Sequence, residues 1–171
     1  MTKREIAIFT PMANEEKNAE KFINNILSYS KYFDNFMYFI IMDKVSKDNT
    51  FAIVKNIEKS NQCLKVIWSP ENKSIVDAYL KGYKTCINAG YKWILEIDAG
   101  SHNPKNIDNF MPFINSEFDC IYGSRFCQGG KMINDNVVGI FYLLRILLSK
   151  GGTILSKVFF KINLKDTTSG F

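Results

Sequence analysis

Short apolar runs alternate with amphipathic stretches along most of this chain, and the alternation predicts strands and helices in turn. The apolar run FMYFIIM, residues 36–42, has no polar position, which is typical of a strand buried on both faces of a parallel sheet. Further strands are predicted at residues 6–9, 64–68, 93–97 and 120–124. Helical spacing predicts helices at about residues 14–30, 49–59, 74–90, 104–111 and 137–160.

Residue types at the helix ends refine these boundaries. Asn14 is the expected N-cap of the first helix, with two glutamates following in its first turn. Asp48 or Asn49 is expected to cap the second helix. The pair Gly151 and Gly152 is expected to weaken the last helix, because glycine is a poor helix former.

Regular alternation of strand and helix predicts right-handed crossovers and a doubly wound α/β domain. We therefore expect residues 1–171 to form a single Rossmann-like domain, a mostly parallel twisted sheet with helices on both faces. Ligands bind such sheets beyond the carboxyl ends of the strands. The candidate segments are the five that follow the predicted strands: residues 10–15, 43–48, 69–74, 98–104 and 123–128.

The amino-acid composition and net charge limit the classes of molecule that this chain is expected to bind. The chain is 46% hydrophobic and 23% charged, which indicates an ordinary globular protein, and its net charge of +5 is mild. That charge suits an acidic small molecule or an anionic lipid surface, and it is too small to indicate nucleic-acid binding. The four cysteines form no C-x-x-C pair, so a reduced, cytoplasmic setting is expected. Neither a signal peptide nor a membrane-spanning segment is predicted.

Three acidic residues, Glu15, Asp43 and Asp98, follow predicted strands. Any one of them could simply form a turn. Three at one sheet edge could instead hold a divalent cation against a phosphate, or accept hydrogen bonds from a ribose. The glycine loops of dinucleotide-binding and P-loop proteins are absent from the sequence, so a nucleotide would have to be bound by acids and Mg²⁺.

Five segments, taken in order, resemble the family 2 glycosyltransferases, in particular the polyprenyl-phosphate branch that includes dolichyl-phosphate mannose synthase. TPMANEEKN is similar to the family's Pro-x-x-Asn-Glu opening, and MDKVSKDNT is similar to its Asp-Asp-Gly-Ser-x-Asp-Gly-Thr segment. EIDAGSHNP lies where the family has an Asp-x-Asp metal motif. YGSRFCQGG and the ending KDTTSGF resemble the polyprenyl-phosphate branch. The likeness covers nearly the whole chain.

The resemblance implies a GT-A fold and an enzyme, a metal-assisted hexosyltransferase using Mg²⁺ or Mn²⁺. It implies transfer of a sugar from a GDP- or UDP-linked donor to a polyprenyl or dolichyl phosphate, or to a related cell-envelope acceptor. The residues that it implies for the nucleotide sugar are Pro11, Asn14, Glu15, Asp43 and Asp98. Those that it implies for the acceptor phosphate are Arg125, Arg145 and Ser149. Asp98 and Arg125 would be catalytic, and Asp98 with His102 would hold the metal.

The chain departs from the family pattern at several positions. Gly100 stands near the place of the second acid of Asp-x-Asp, and Lys44 replaces the second Asp of the nucleoside segment. His102 could ligate the metal, form hydrogen bonds or contact phosphate; imidazole suits Mg²⁺ poorly. The sequence ends just before the Arg that the family has after Ser-Gly-Phe, so we expect the C-terminal part of the family to be missing.

Alternatives follow from these departures. The chain could be a catalytically impaired relative that binds nucleotide sugars, or a partner subunit. A nucleotidyltransferase would need a glycine-rich, basic loop after the first strand, which TPMANEE is not.

Single residues and elements also have alternative interpretations. Arg125 could form a surface ion pair, and the last helix could be a core helix with a basic edge. If instead that helix lies on an anionic membrane, with lysines at the headgroups, peripheral contact with the inner face of the membrane is expected. The oligomeric state is not indicated.

One chemical argument favours a phosphate acceptor. A sugar hydroxyl usually needs a general base, whereas a phosphate monoester, with a second pKa near ~6, is already largely ionised. The Glu-Asp pair that supplies such a base in saccharide-forming relatives is not present in this sequence.

Overall fold

In a computed structural model, the described residues are 4–126 and 140–167, and for residues 140–142 and 145 only the backbone is described. The chain divides into two compact units, Met1–Asp119 and Cys120–Phe171. The prediction of one domain over residues 1–171 stays a prediction.

The first unit is built on a parallel sheet of four strands in the order β3-β2-β1-β4. The strands are β1 (Glu5–Pro11), β2 (Asn35–Met42), β3 (Leu64–Trp68) and β4 (Trp93–Glu96). The central strand β1 pairs with β2 on one side and with β4 on the other, so that Ile6 aligns with both Phe36 and Trp93. The predicted α/β class with a parallel sheet is confirmed.

Helices cover both faces of this sheet. Right-handed crossovers from β1 to β2 to β3 put α1 (Ala19–Leu27) and α2 (Thr50–Ser60) on one face. The crossover from β3 back to β4 runs in the opposite direction and puts α3 (Ile75–Asn88) on the other face. The buried side chains of both faces form the core: Ala7, Phe9, Phe39 and Ile41 with Ala78 and Cys86 of α3, and Ile8, Tyr38 and Ile40 opposite.

The third helix shows how local sequence positions an element. Ser74 and Asp77 form a reciprocal capping box at its start, and the chain turns after its end at Gly90 with φ +80°. Gly82 lets the helix pack closely on β1, because a Cβ at that position would lie 2.2 Å from a ring carbon of Phe9. The prediction for this helix is confirmed.

The predicted start of the first helix is wrong. Asn14 is not an N-cap: it has φ +57°, and α1 begins at Ala19 after Asn18. Residues 16–18 form a turn, and the helix is followed by a 3₁₀ turn, Ser28–Tyr32. The cause is a set of hydrogen bonds from the loop after β1 to the loop after β2, described below, which a local sequence pattern does not show.

Two further predictions need correction. Residues 120–124 form no strand, since they pair with none of the described strands and Tyr122 is exposed. The chain between β4 and this segment contains 3₁₀ turns, Pro104–Asn109 and Met111–Phe113, where an α-helix over residues 104–111 was expected. The last helix, α4 (Ile140–Phe160), continues through Gly151 and Gly152 without a break, and residues 137–139 of its predicted start lie outside the described residues.

The second unit consists of α4 and the segments that contact its polar face. Thr153 donates to the Ser149 carbonyl oxygen, and Thr167 bonds through its N–H to the Thr153 hydroxyl and through its hydroxyl to that of Ser156. Another face of α4 is apolar and exposed, with Leu147 at 69% and Phe159 at 74% of full accessibility. Among the described residues, none of the helices combines the length and hydrophobicity that crossing a bilayer requires.

Candidate active site

A cavity of about 320 Å³ lies at the carboxyl edge of the first unit's sheet. It is lined by the loops after β1, β2 and β4 and by the start of α3. Strands β1 and β4 flank the point where the crossovers change face, which is where doubly wound sheets bind their ligands. Four of the residues predicted for the nucleotide sugar line it, namely Pro11, Glu15, Asp43 and Asp98.

Asn14, the fifth predicted residue, joins two loops and is not among the residues that line the cavity. Its amide nitrogen donates to the Val45 carbonyl oxygen at 3.3 Å, and its amide oxygen accepts from the Lys47 N–H at 2.8 Å. Its backbone N–H donates to Ser46 Oγ at 3.2 Å. Asn14 thus holds the β1 loop against the β2 loop, and its direct contact with a donor stays a prediction.

A buried threonine anchors Glu15. The hydroxyl of Thr50, which is fully buried, donates to Asp48 Oδ1 at 2.5 Å and accepts from the Glu15 N–H at 2.7 Å. The hydrogen bond from Thr50, more than any other contact, lowers the pKa of Asp48. Asp48 and Thr50 belong to the segment that resembles the family's nucleoside motif, but the sequence did not predict that they anchor Glu15.

Asp98 is oriented by a tyrosine that sequence reasoning also missed. The Tyr79 hydroxyl, on α3, donates to Asp98 Oδ1 at 2.7 Å. Burial, with the nearby Asp98 carboxylate adding to it, raises the pKa of Tyr79 well above its usual range. The phenol therefore stays protonated at all physiological pH values and remains a donor to the carboxylate. The spacing of Tyr79 on the predicted apolar face of its helix gave no hint of this contact.

His102 closes the turn that follows Asp98. The ring Nδ1 of His102 accepts from the Asp98 backbone N–H at 3.0 Å, and the backbone N–H of His102 donates to the Asp98 carbonyl oxygen at 3.3 Å. A neutral imidazole that accepts at Nδ1 carries its proton on Nε2, and an N–H suits a phosphate oxygen better than a cation. Of the three roles expected for His102, the structure shows hydrogen bonding. Metal ligation by His102 stays a prediction.

Gly100 lies against Glu15. Its φ is +77°, a conformation that side-chain-bearing residues rarely adopt, and a Cβ built there would lie 2.6 Å from Glu15 Oε1. The Glu15 carboxylate therefore occupies the space into which any side chain at position 100 would point.

Glu96, at the end of β4, is a second titratable group of this region. Burial raises its pKa, and the Asp98 charge adds to that shift. The Tyr83 hydroxyl opposes the shift by donating to Glu96 Oε2 at 2.7 Å. Glu96 is not among the residues that line the cavity.

In the second unit the structure brings together two of the three residues predicted for the acceptor phosphate. Arg125 donates from Nε to Asp166 Oδ2 at 2.8 Å and from Nη2 to Asp166 Oδ1 at 2.9 Å. Its Nη2 also donates to Ser149 Oγ at 2.7 Å. Arg125 thus forms an ion pair, the alternative given above, and its partner is the buried Asp166 of the KDTTSGF ending. The sequence did not predict this pairing. The phosphate-binding roles stay predictions. Arg145 lies in α4, and its side chain is outside the described residues.

The sequence matches the family described as "Glycosyl transferase family 2" over residues 7–169. The chain belongs to glycosyltransferase family 2. The expected resemblance is therefore confirmed.

Among curated proteins, the chain is similar to three that act on lipid-linked acceptors according to their names. It is 26% identical to the undecaprenyl-phosphate mannosyltransferase of Micrococcus luteus over 77% of this chain and 52% of that protein. It is 24% identical to the polyprenol monophosphomannose synthase of Mycolicibacterium smegmatis over 99% of this chain and 61% of that protein. It is 30% identical to the UDP-N-acetylglucosamine–dolichyl-phosphate N-acetylglucosaminyltransferase of Methanococcus voltae over 73% of this chain and 53% of that protein. The chain thus spans between half and two thirds of the length of these relatives.

Proposed function

We propose that this family 2 chain binds a nucleotide-diphosphate sugar in the cavity of its first unit and transfers the sugar to a polyprenyl phosphate. The observation that supports this most is the convergence of Glu15, Asp43 and Asp98 on one cavity at the switch point of a parallel sheet. Three acidic side chains at that edge suit the polyhydroxylated, metal-binding end of a nucleotide sugar.

A divalent cation fits this site as part of a complex with the donor. Among the described residues there is no cluster of three or more side chains that could hold a metal. Mg²⁺ does not need one, since it is commonly bound by one or two carboxylates, several waters and the phosphates of a substrate. Asp98 would supply such a carboxylate from the turn after β4. When bound, the cation would neutralise charge on the departing diphosphate.

The residues of the chain then bind and orient the donor. Asp43 would accept hydrogen bonds from the nucleoside, while Pro11 and Ile41 offer an apolar wall beside it. The Asp43 side chain is held for this by the Val45 N–H, which donates to Oδ1 at 2.9 Å. Tyr79 holds the Asp98 carboxylate in one orientation, so that its position is set before the donor arrives.

The proposed acceptor is a polyprenyl phosphate, as in the names of the relatives. Arg125 would bind its phosphate, helped by Ser149. Asp166 keeps the guanidinium oriented through two parallel hydrogen bonds and raises the pKa of Arg125, so the charge is permanent. The phosphate monoester is already ionised near neutral pH, and its oxygen can attack the sugar without a general base.

A lipid-linked acceptor requires access to a membrane, and α4 has a suitable surface. Eight exposed apolar residues of this helix share one face: Leu143, Leu144, Leu147, Leu148, Ile154, Leu155, Val158 and Phe159. Phe160, at the end of the helix, is exposed outside this face. Lys157 is exposed on the helix, and Lys161 is exposed directly after its end. An amphipathic helix of this kind can lie in the headgroup region of an anionic leaflet with its lysines at the surface.

The test is sugar transfer by the purified protein. The chain is incubated with radiolabelled GDP-mannose or UDP-N-acetylglucosamine, Mn²⁺ and undecaprenyl phosphate in anionic vesicles, and lipid-linked sugar is extracted and counted. We expect metal-dependent product with one of the donors and a loss of at least a hundredfold in Asp98→Asn. Absence of product with every donor, despite donor binding, would contradict the transfer.

The substitution of the second metal-motif acid by Gly100 supports a second candidate, a relative that binds nucleotide sugars without transferring them. The two differ in turnover alone. A donor that binds in a metal-dependent manner and is recovered intact after prolonged incubation with the acceptor would favour this candidate.

A further inference from the structure

The surroundings of Gly100 indicate which residue supplies a second carboxylate, beside that of Asp98, at the proposed donor site. This inference rests on the proposed function and deepens it. Position 100 has no side chain, and the space that a side chain there would fill contains the carboxylate of Glu15. Oε1, Cδ and Oε2 of Glu15 lie 2.6, 3.3 and 3.6 Å from the position of an ideal Cβ on Gly100. The whole Glu15 carboxylate therefore lies directly beside Gly100.

We propose that Glu15, on the loop after β1, supplies the second carboxylate that a divalent cation contacts in this chain, in place of an acid at position 100. Glu15 and Asp98 line the same cavity, and Gly100 is two residues beyond Asp98 in the same turn. The pair thus spans the boundary between β1 and β4, with one acid from each loop. A glycine at position 100 makes this arrangement possible.

Glu15 is held firmly enough to serve as a ligand. Its backbone N–H is bound by the buried Thr50 hydroxyl at 2.7 Å, and its carbonyl oxygen accepts from the N–H groups of Asn18 and Ala19 at 2.9 and 2.7 Å. The Asn18 side chain donates to Oε2 at 3.4 Å. The backbone is thereby fixed on both sides of the residue, while Oε1 is the oxygen that lies closest to Gly100.

An acid restored at position 100 would compete with the Glu15 carboxylate for the same space. An aspartate at position 100 would place its Cβ within 2.6 Å of the Glu15 oxygen and would bring two carboxylates together. Its positive φ adds strain, although aspartate tolerates that conformation better than most residues. A side chain at position 100 would therefore push the Glu15 carboxylate, the far end of a flexible side chain, out of its present position.

The measurement is Mn²⁺ affinity of the purified protein, by electron paramagnetic resonance of free Mn²⁺, in the presence of saturating GDP or UDP. Affinity for GDP and UDP in EDTA is measured separately by calorimetry. We expect Glu15→Ala to weaken Mn²⁺ binding at least tenfold and to change nucleotide affinity in EDTA less than twofold. Gly100→Asp alone is expected to lower Mn²⁺ affinity, because the Glu15 carboxylate has to leave its present position and a second like charge is added beside it.

The double variant Glu15→Ala, Gly100→Asp decides the question. Removing the Glu15 carboxylate makes room for the new one, so Mn²⁺ affinity should return to within about fivefold of the wild type. Gly90→Ala is the matched backbone control, because Gly90 also has positive φ (+80°) but nothing within 4 Å of a Cβ. Glu20→Gln, an exposed acid on α1, is the matched charge control. Both controls should bind Mn²⁺ like the wild type.

Other outcomes overturn the proposal in identifiable ways. If Glu15→Ala binds Mn²⁺ normally but loses nucleotide affinity in EDTA, Glu15 contacts the nucleoside and the proposal is wrong, while the proposed donor site stands. If the double variant folds, judged by its thermal unfolding, and binds nucleotide yet does not recover Mn²⁺, the proposal is also wrong. If the wild type binds neither GDP nor UDP, the proposed function itself fails.

Discussion

At the scale of single residues, the site depends on side chains whose hydrogen-bond partners fix their orientation. The Tyr79 hydroxyl and the Asp98 carboxylate are an example, since a neutral phenol donates to a charged oxygen. Hydrogen bonds to charged groups contribute more than those between neutral groups, about 1.5–3 kcal/mol each.

Tyr79→Phe therefore tests the orientation of Asp98. Removing this one donor should weaken Mn²⁺-dependent donor binding by about tenfold or more, because the carboxylate is no longer held in place. Calorimetric titration with GDP and UDP in Mn²⁺ measures the change. Tyr83→Phe is the control, because Tyr83 bonds Glu96 outside the cavity and its loss should leave donor affinity within about twofold of the wild type. Equal affinities in wild type and Tyr79→Phe would contradict the role.

Glu96 makes stability depend on pH in a predictable direction. Burial raises its folded-state pKa above the ordinary value of 4.5, so the folded protein holds this proton more tightly than the unfolded chain. That difference stabilises the fold below pH 4.5 and is lost as pH rises through the raised pKa. Glu96→Gln should thus exceed the wild type in unfolding free energy at pH 7, with the gap shrinking towards pH 4.5. Urea unfolding at several pH values measures this, and a gap that grows on acidification would contradict it.

Position along the chain was enough to predict which residues lie together at the carboxyl edge of the sheet, while their donor-binding roles stay predictions. Pro11, Glu15, Asp43 and Asp98 follow strands, and parallel strands present their carboxyl ends at one edge. The contacts of Thr50, Tyr79 and Asp166 were not predicted, because their partners lie 35, 19 and 41 residues away. Nothing in the local pattern specifies contacts of that separation.

At the scale of elements, the same contrast distinguishes α3 from the start of α1. The third helix has its signals within its own sequence, a Ser-x-x-Asp capping box and a glycine after its end, so its limits could be predicted. The segment before α1 has a helix-like sequence, but the side-chain amide of Asn14 forms hydrogen bonds with the backbone of Val45 and Lys47 in another loop. Tertiary hydrogen bonds there override the local preference.

The close packing of α3 on β1 gives an element-level prediction. Gly82→Ala would place a Cβ 2.2 Å from the ring of Phe9, which is fully buried and packs edge to face on Tyr83 at 4.8 Å. Because Phe9 is fully buried, we expect a loss of about 2 kcal/mol in unfolding free energy, despite alanine's better helix propensity.

Gly151→Ala is the matched control in α4, where a Cβ meets nothing within 4 Å. This variant should be neutral, or should raise the unfolding free energy by up to ~1 kcal/mol. Chemical denaturation of both variants measures the difference, and a stable Gly82→Ala would contradict the packing.

At the scale of the whole molecule, the proposed contact with an anionic lipid surface rests on a mild positive charge and on the exposed apolar face of α4. The chain carries a net charge of +5, and several of its lysines lie in or just after α4. Near an anionic leaflet each lysine contributes about 1 kcal/mol to binding.

Lys157→Gln with Lys161→Gln should weaken binding to vesicles of phosphatidylglycerol and phosphatidylcholine by about thirtyfold, the equivalent of ~2 kcal/mol. Sedimentation of the protein with sucrose-loaded vesicles measures this. Lys92→Gln with Lys105→Gln removes the same charge from exposed positions in the first unit and should have a smaller effect. Equal losses in the two double variants would show that net charge alone, not α4, governs the contact.

The central claim is that Asp98 links a cation to the diphosphate of a sugar donor in the cavity of the first unit. Thermal unfolding with GDP-mannose and UDP-N-acetylglucosamine, with and without Mn²⁺, tests it most directly in wild type and Asp98→Ala. A ligand at ~100 times its Kd adds ~2.7 kcal/mol of stability, which is readily measured. We expect one donor to stabilise the wild type more with Mn²⁺ than without it, and the Mn²⁺-dependent part to vanish in Asp98→Ala. An undiminished Mn²⁺-dependent stabilisation in Asp98→Ala would contradict the account.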